Sequence, residues 1–309
     1  MPILSLLWIF VVLSRTHYFF DFMDIQLRNE TDPLRSVIVG LAQDRPAMPH
    51  GNNPKIQENI AKGTIPDESE LVEEVEGFVK TLTDAGVQVL RPEVLPNQDQ
   101  IFTRDISFVI DKTLVRAGMR KPNRRVEFDA IRKWMEDIEH IIEPPEGVFI
   151  EGGDVILCDD TVFVGVGGRT NEAGVAFLQE QFPQKKIVSL PMVVSDDPYT
   201  NILHLDCTFQ PVGKDMAIIY EAGFIRTPDA VFERFPENKC IKVSQQEMYD
   251  MAPNVFSITP GLVVIDKRFT RLRDELEARG IRTLPVAYEK VSRFGGLLRC
   301  STLPLYRNF

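Results

Sequence analysis

Four short segments of this chain carry side chains suited to catalysis: Phe102-Thr103-Arg104-Asp105, Glu151-Gly152-Gly153-Asp154, His204-Leu205-Asp206 and Gly295-Gly296-Leu297-Leu298-Arg299-Cys300. Between them they hold a thiol, an imidazole and several carboxylates, a set able to support nucleophilic attack with general acid and base assistance. Cys300 follows two glycines near the C-terminus, a setting in which the backbone turns sharply and a thiol becomes accessible. A lone cysteine is more often an inert core residue, and Cys158 and Cys207, at strand ends, read that way. His204 is one of four histidines, with His17, His50 and His140, and stands two residues before Asp206. On a strand the two side chains would share a face. A buried histidine held by its neighbouring acid and a metal pair are the alternatives. A single histidine among the four segments weakens zinc, so acid and base work is the better reading.

Asp105, Glu151 and Asp154 would each be solvated loop acids by default, and a Glu-Gly-Gly-Asp run alone is a weak signal. Gathered around one point, Asp105, Glu151, Asp154 and Asp206 would concentrate negative charge that a planar cation neutralises. Guanidinium is the natural candidate, because its forked donors pair bidentately with carboxylates.

Only a repeating fold would bring such distant segments together. Strand patterns within 106–116 turn at Asp111-Lys112 and lead to a helix over 125–138, with Trp134 and Ile138 on one face. The next unit has strands at 155–158 and 162–166 about Asp159-Asp160, a helix over 171–182 and a strand at 186–190. Strands at 208–212 and 216–220 then flank Gly213-Lys214 and precede a helix over 228–235 and a strand at 240–243. Ser244 with Glu247 forms a capping box for a further short helix. Strands at 256–259 and 262–266 flank Pro260-Gly261, followed by a helix over 269–279 that ends at Gly280 and a strand at 283–286. The fifth unit is split: 303–306 supplies one strand, while 37–41, a helix over 68–85 and 87–90 supply the rest.

The equivalent points Asp105, Asp154, Asp206, Asn254 and Cys300 stand 49, 52, 48 and 46 residues apart. This period predicts the α/β class and, within it, a five-bladed ββαβ propeller with pseudo-fivefold symmetry, closed by its two termini, with an axial active site. A doubly wound α/β sheet would match the helix and strand content but not a hairpin in every unit.

With 309 residues and 44% hydrophobic content the chain can bury a large core. The net charge of −10 argues against nucleic acid or an anionic membrane as partner and suits a small cationic substrate. Four scattered cysteines without a CxxC pair point to neither a disulfide framework nor a zinc ribbon, so a reducing, cytoplasmic setting is expected. Residues 1–22 differ: an apolar run with Trp8 and Phe10, too short to span a bilayer, reads as a leader or a mis-assigned start. Export or anchoring through 1–22 is the alternative, and 23–309 is expected to be a single catalytic domain.

Together these motifs, with Arg299-Cys300-Ser301-Thr302-Leu303-Pro304-Leu305-Tyr306-Arg307, resemble the guanidino-group-modifying enzymes of the pentein fold. That superfamily includes arginine deiminases, dimethylarginine dimethylaminohydrolases, agmatine deiminases and amidinotransferases, and the resemblance covers essentially 23–309. It implies that Cys300 attacks the guanidinium carbon and forms a covalent amidino-thioether, expelling ammonia or an amine. It implies further that Asp105 and Asp206 fix the cation, that His204 protonates the leaving nitrogen and then deprotonates water, and that Glu151 orients the imidazole. Asp154 is carried among the substrate-binding residues, more as loop support than as a contact. Arg169 is similar to the family's carboxylate-binding arginine, with Arg120 and Arg125 as further candidates. No metal and no organic cofactor are implied.

Glu151 and Asp206 resemble the deiminase pattern, since dimethylarginine hydrolases tend to lack the second carboxylate of His-Leu-Asp and amidinotransferases tend to carry Asp where Glu151 stands. The expected activity is hydrolysis of arginine or a substituted arginine to citrulline or a ureido product. Amidino transfer to an amine is the alternative, and a non-catalytic binding protein of the same fold is another. The expected partner is a small guanidino substrate, with a homodimer left open. The helical bundle inserted in typical arginine deiminases is absent from the sequence, which would admit a bulkier guanidine.

Overall fold

Short, nearly continuous apolar runs separated by turn residues dictate the architecture seen in the computed structural model, which describes residues 24–46 and 53–309. The expected leader at 1–22, His17 and His50 lie outside the described residues. In chain order the strands are β1 (Leu34–Val39), β2 (Gln88–Leu90), β3 (Ser107–Ile110), β4 (Thr113–Arg116) and β5 (Ile141–Ile142). They continue with β6 (Val155–Cys158), β7 (Thr161–Val166), β8 (Lys186–Pro191), β9 (Phe209–Val212) and β10 (Met216–Ile219). The last are β11 (Cys240–Lys242), β12 (Phe256–Thr259), β13 (Leu262–Asp266), β14 (Arg282–Val286) and β15 (Thr302–Arg307).

These form five three-stranded sheets, each with one antiparallel pair and a third strand parallel to the central one. Two-residue loops at Asp111-Lys112 and Asp159-Asp160 join β3 to β4 and β6 to β7, and both leading aspartates adopt positive φ, as tight hairpin turns require. A parallel third strand cannot follow a tight turn and needs a crossover, which helices at Glu68–Asp84, Glu172–Gln181, Asp229–Arg234 and Thr270–Ala278 supply. The sheet made of β15, β1 and β2 joins the C-terminal strand to N-terminal ones, with Val37 opposite Pro304 and Val39 opposite Thr302.

One crossover differs from expectation. Residues Pro122–Trp134 form a 3-10 helix rather than an α-helix over 125–138. Pro122 opens it, and its buried apolar pair, Phe128 and Ile131, is spaced by three residues, which a three-residue turn keeps on one side. Ile138 is buried beyond the helix end, and Trp134 donates its indole N–H to the Arg91 carbonyl at 3.0 Å. Among the described residues, no helix is long and apolar enough to cross a membrane.

Candidate active site

Each chemistry-bearing segment is a single tight turn immediately before the first strand of a sheet. Thr103–Ile106 precedes β3, Gly152–Asp154 precedes β6, Leu205–Cys207 precedes β9, and Cys300 lies two residues before β15. The first of these turns packs on the second, and the second on the third. His204 and Asp206 therefore do not lie on a strand as the spacing had suggested. His204 caps a 3-10 turn in extended conformation while Asp206 sits inside it, so the two side chains diverge to different partners. The close approach explains the double glycine. A Cβ on Gly153 would stand 2.7 Å from the His204 ring and 3.0 Å from Asp105 Oδ1, which no larger residue tolerates without displacing one of them.

At the centre is the His204 imidazole. Its Nε2 lies 2.9 Å from Glu151 Oε2 and its Nδ1 3.6 Å from Asp105 Oδ1. Both Nδ1 and that aspartate oxygen are buried and have no hydrogen-bond partner among the described residues. Buried polar atoms are nearly always satisfied, so two facing orphans mark a place built for something else. The remaining carboxylate oxygens are engaged. Asp105 Oδ2 accepts from Arg124 at 2.6 Å, Glu151 Oε2 accepts from Arg169 at 3.2 Å, and Glu151 Oε1 accepts from the Arg120 backbone N–H at 3.2 Å. Asp206 Oδ2 accepts from Arg299 at 2.9 Å and lies 3.5 Å from Cys300 Sγ. Arg299 is fully buried and also forks onto Glu30, at 2.9 and 3.2 Å.

The expected uncompensated negative charge is thus corrected: Asp105, Glu151 and Asp206 each already hold a resident guanidinium. That neutralisation allows three acids to be buried together. Asp154 is corrected as well. It does not line the pocket, and its oxygens accept from Thr170 Oγ1 at 2.6 Å and from the Leu205 backbone N–H at 2.9 Å. It ties the Gly152–Asp154 turn to the Leu205–Cys207 turn.

One pocket exposes Asp105, His204, Cys300 and Arg169 together, with Phe102 and Phe294 among its apolar walls. Arg45, paired with Asp99 and stacked 4.1 Å from the Phe294 ring, stands on the same lining. Asp206, expected to fix the cation, is not among the lining residues; it backs Cys300 as Glu151 backs His204. Of the further arginine candidates, neither Arg120 nor Arg125 reaches this pocket; Arg120 covers the Phe149 ring and Arg125 donates to the Met119 carbonyl. Arg124, between them in number, does reach it, anchored on Glu127 by two bonds of 2.8 and 2.9 Å. Its i,i+3 acid was the sequence signal for it. Arg299 and Asn254 fall within the motif and the repeat without a role that the sequence reveals, and nothing local marks Glu30, since the partners lie up to 269 residues apart in sequence.

Burial alone would keep the His204 imidazole neutral, but Asp105, Asp154 and the Glu151 hydrogen bond outweigh it and raise its pKa to about 9. Burial opposes ionisation of Glu151 too, yet the His204 hydrogen bond and the Arg169 charge hold it down at about 2. Asp154 is pushed up to about 7 by its burial. Burial, then Asp206 and Asp105, push the Cys300 thiol well above the ordinary range. The two shifts favour an imidazolium at His204 and a thiol at Cys300.

Asp105, Glu151 and His204 also offer ligand atoms within 4.8 Å of one another. Arg124 and Arg169 already pair with the two carboxylates, and cations so placed oppose a dication. The donor set suits a hydrogen-bonded acid–base cluster better than a metal centre.

Residues 49–307 match the family described as N,N dimethylarginine dimethylhydrolase, eukaryotic. An uncharacterized protein, YkgA of Bacillus subtilis (strain 168), is 30% identical over 234 residues, 74% of this chain and 78% of that protein. An arginine deiminase of Rhodococcus jostii is 25% identical over 296 residues, 82% of this chain and 70% of that enzyme. The N-terminal domain of ArgZ, an arginine dihydrolase from cyanobacteria, is similar in structure with a TM-score of 0.79 at 18% identity, covering 89% of this chain and 98% of that domain. At that identity the likeness concerns the fold alone. The family match spans all the chemistry-bearing turns and the strands they precede, so the chain belongs to the dimethylarginine dimethylhydrolase family of guanidino-group-modifying enzymes.

Proposed function

We propose that this protein hydrolyses the guanidino group of arginine or a substituted arginine through a covalent Cys300 amidino intermediate, and that its five sheets are the blades of a propeller carrying the site on its axis. The observation that carries this reading is the buried, unpartnered pair of Asp105 Oδ1 and His204 Nδ1 in the pocket that also holds Cys300. A guanidinium entering there would give Asp105 Oδ1 the N–H donor it lacks. Its positive charge beside the sulfur would offset the carboxylates that disfavour the thiolate, so substrate binding would promote ionisation of the thiol, whose proton leaves to solvent.

Sγ then bonds to the guanidinium carbon. As that carbon loses one nitrogen, the imidazolium proton on His204 Nδ1 passes to the leaving amine or ammonia, and Glu151 stabilises the charged ring through Nε2. Water, deprotonated by the now neutral His204, attacks the amidino carbon; the C–S bond breaks and a ureido product leaves. Arg169, which lines the pocket, is suited to the α-carboxylate of an amino-acid substrate, whereas the Arg124 fork is already held by Glu127, Asp105 and the Phe102 carbonyl. No step calls for a metal or organic cofactor.

Incubating the protein with arginine, methylated arginines, acylated arginines and agmatine, with and without glycine or lysine, and reading products by mass spectrometry tests substrate and reaction together. Citrulline or a ureido product should form with wild type, and Cys300→Ser should lower turnover by roughly a thousandfold or more. A transferred amidino group on the added amine would replace hydrolysis by amidino transfer. Undiminished turnover after full alkylation of Cys300 would refute the cysteine mechanism.

A further inference from the structure

The fifth equivalent point of the repeat, Asn254, carries no acid, imidazole or thiol, yet it makes closer contact with the sulfur than any of the acids do. Its Oδ1 accepts the Cys300 backbone N–H at 3.1 Å. Its Nδ2 lies 3.3 Å from the Asp206 carbonyl oxygen and 3.2 Å from Cys300 Sγ. Two of these partners leave no freedom over which way the amide points. A backbone N–H can only donate and a backbone carbonyl can only accept, so Oδ1 faces the first and Nδ2 the second. One Nδ2 hydrogen is used by the carbonyl. The other is aimed at the sulfur.

We propose that Asn254 is a catalytic residue that stabilises the Cys300 thiolate by donating its side-chain N–H to Sγ. The assignment rests on reading Cys300 as the nucleophile, and it concerns the step before any bond to carbon forms: Sγ–H ionises, and the proton leaves to solvent. A thiol sulfur is a weak acceptor and a thiolate a strong one, so the bond favours the charged form. Asn254 is fully buried, and no bulk water competes for its N–H.

The opposing groups are all on the same side of the balance. Burial itself, then Asp206, Asp105 and the nearby Cys207, disfavour the thiolate, while the Leu297 backbone amide favours it. Arg299 spends its charge on Asp206 and Glu30. Of the five equivalent points, Asp105, Asp154 and Asp206 carry carboxylates. A fourth carboxylate at 254 would face Sγ directly and deepen the repulsion, whereas the amide of the same shape donates. The neutral residue at that point is thus the chemically required one.

The test is the pH dependence of Cys300 carboxamidomethylation by iodoacetamide, read on the Cys300 peptide by mass spectrometry, with Cys300→Ser as blank. It needs no substrate. In Asn254→Ala the rate at pH 7 should fall about tenfold or more, with the titration midpoint moved to higher pH, as loss of a hydrogen bond to a charged group predicts. Asn254→Asp, close in shape and still able to accept from the Cys300 N–H, should titrate higher still, which guards against a merely unfolded alanine variant. Circular dichroism and thermal melting establish that each variant is folded. On whichever guanidine wild type turns over, kcat should fall in parallel while KM stays within about threefold. A folded Asn254→Ala or Asn254→Asp protein whose Cys300 titrates like wild type overturns the proposal. If wild type turns over no guanidine at all, the hydrolase reading fails while the titration still decides what Asn254 does to the sulfur.

Discussion

His204 shows how strongly the site depends on charges arranged by its neighbours. An imidazole this deeply buried would ordinarily be neutral; three acids make it a cation, with a pKa raised from 6.5 to about 9. The consequence for stability has a definite sign. A raised folded-state value contributes stability that is complete below pH 6.5 and is lost as pH rises through about 9. Melting followed from pH 6.5 to 9.5 should therefore show wild type losing on the order of 3 kcal/mol that His204→Asn does not lose. Parallel curves for the two proteins would mean that the ring is not charged in the folded state. Type and motif were enough to single out Cys300, His204, Glu151, Asp105 and Asp206 in the sequence, and the structure brings these five together. Their arginine partners were not legible. Arg299 meets Glu30 across 269 residues and Asp206 across 93, and no local pattern announces such a pairing.

Among the elements, a short turn ahead of four of the five sheets carries the candidate side chains, and glycine decides how closely two turns approach. Gly153→Ala would set a methyl group 2.7 Å from the His204 ring. Displacing the imidazole by a fraction of an ångström should cost roughly tenfold to a hundredfold in kcat. Gly261→Ala, at the β12–β13 turn with nothing within 4 Å of the added carbon, should leave turnover and melting temperature unchanged. Equal effects of the two substitutions, measured side by side, would remove the packing argument. The hairpin turns and most crossover helices followed the sequence pattern because each is a local signal: positive-φ aspartates, a glycine after a helix, a capping box at Ser244. The pattern misread two places. The 3-10 helix at Pro122–Trp134 and the turn at Leu205–Cys207 are tightened by long-range contacts, through Arg124 to Asp105 in the one and Asp154 to the Leu205 N–H in the other.

Across the whole molecule the two ends of the described chain hold one another. β15 pairs along β1, Arg299 forks onto Glu30, and Arg307 donates to the Asp32 carbonyl. Removing a strand from a three-stranded sheet exposes apolar surface and leaves a two-stranded pair that is at best marginally stable on its own. Deleting the last ten residues takes away β15 and Cys300 together, and should yield a chain without a cooperative urea transition. A truncated protein that still unfolds cooperatively, with near-native circular dichroism, would show that closure through the C-terminal strand is dispensable.

The five-unit period and the candidate reactive groups were legible in the amino-acid sequence, since residue type is chemistry and hydrophobic alternation with turn residues is a local code. Tertiary structure alone decided which arginine neutralises which acid, that Arg124 rather than Arg120 or Arg125 reaches the pocket, that Asp154 braces turns instead of lining the cavity, and that Asn254 faces the sulfur. Those are matters of distance and direction between segments many residues apart, and buried charge makes them energetically strict: each carboxylate must find its cation in three dimensions or the core cannot close around it.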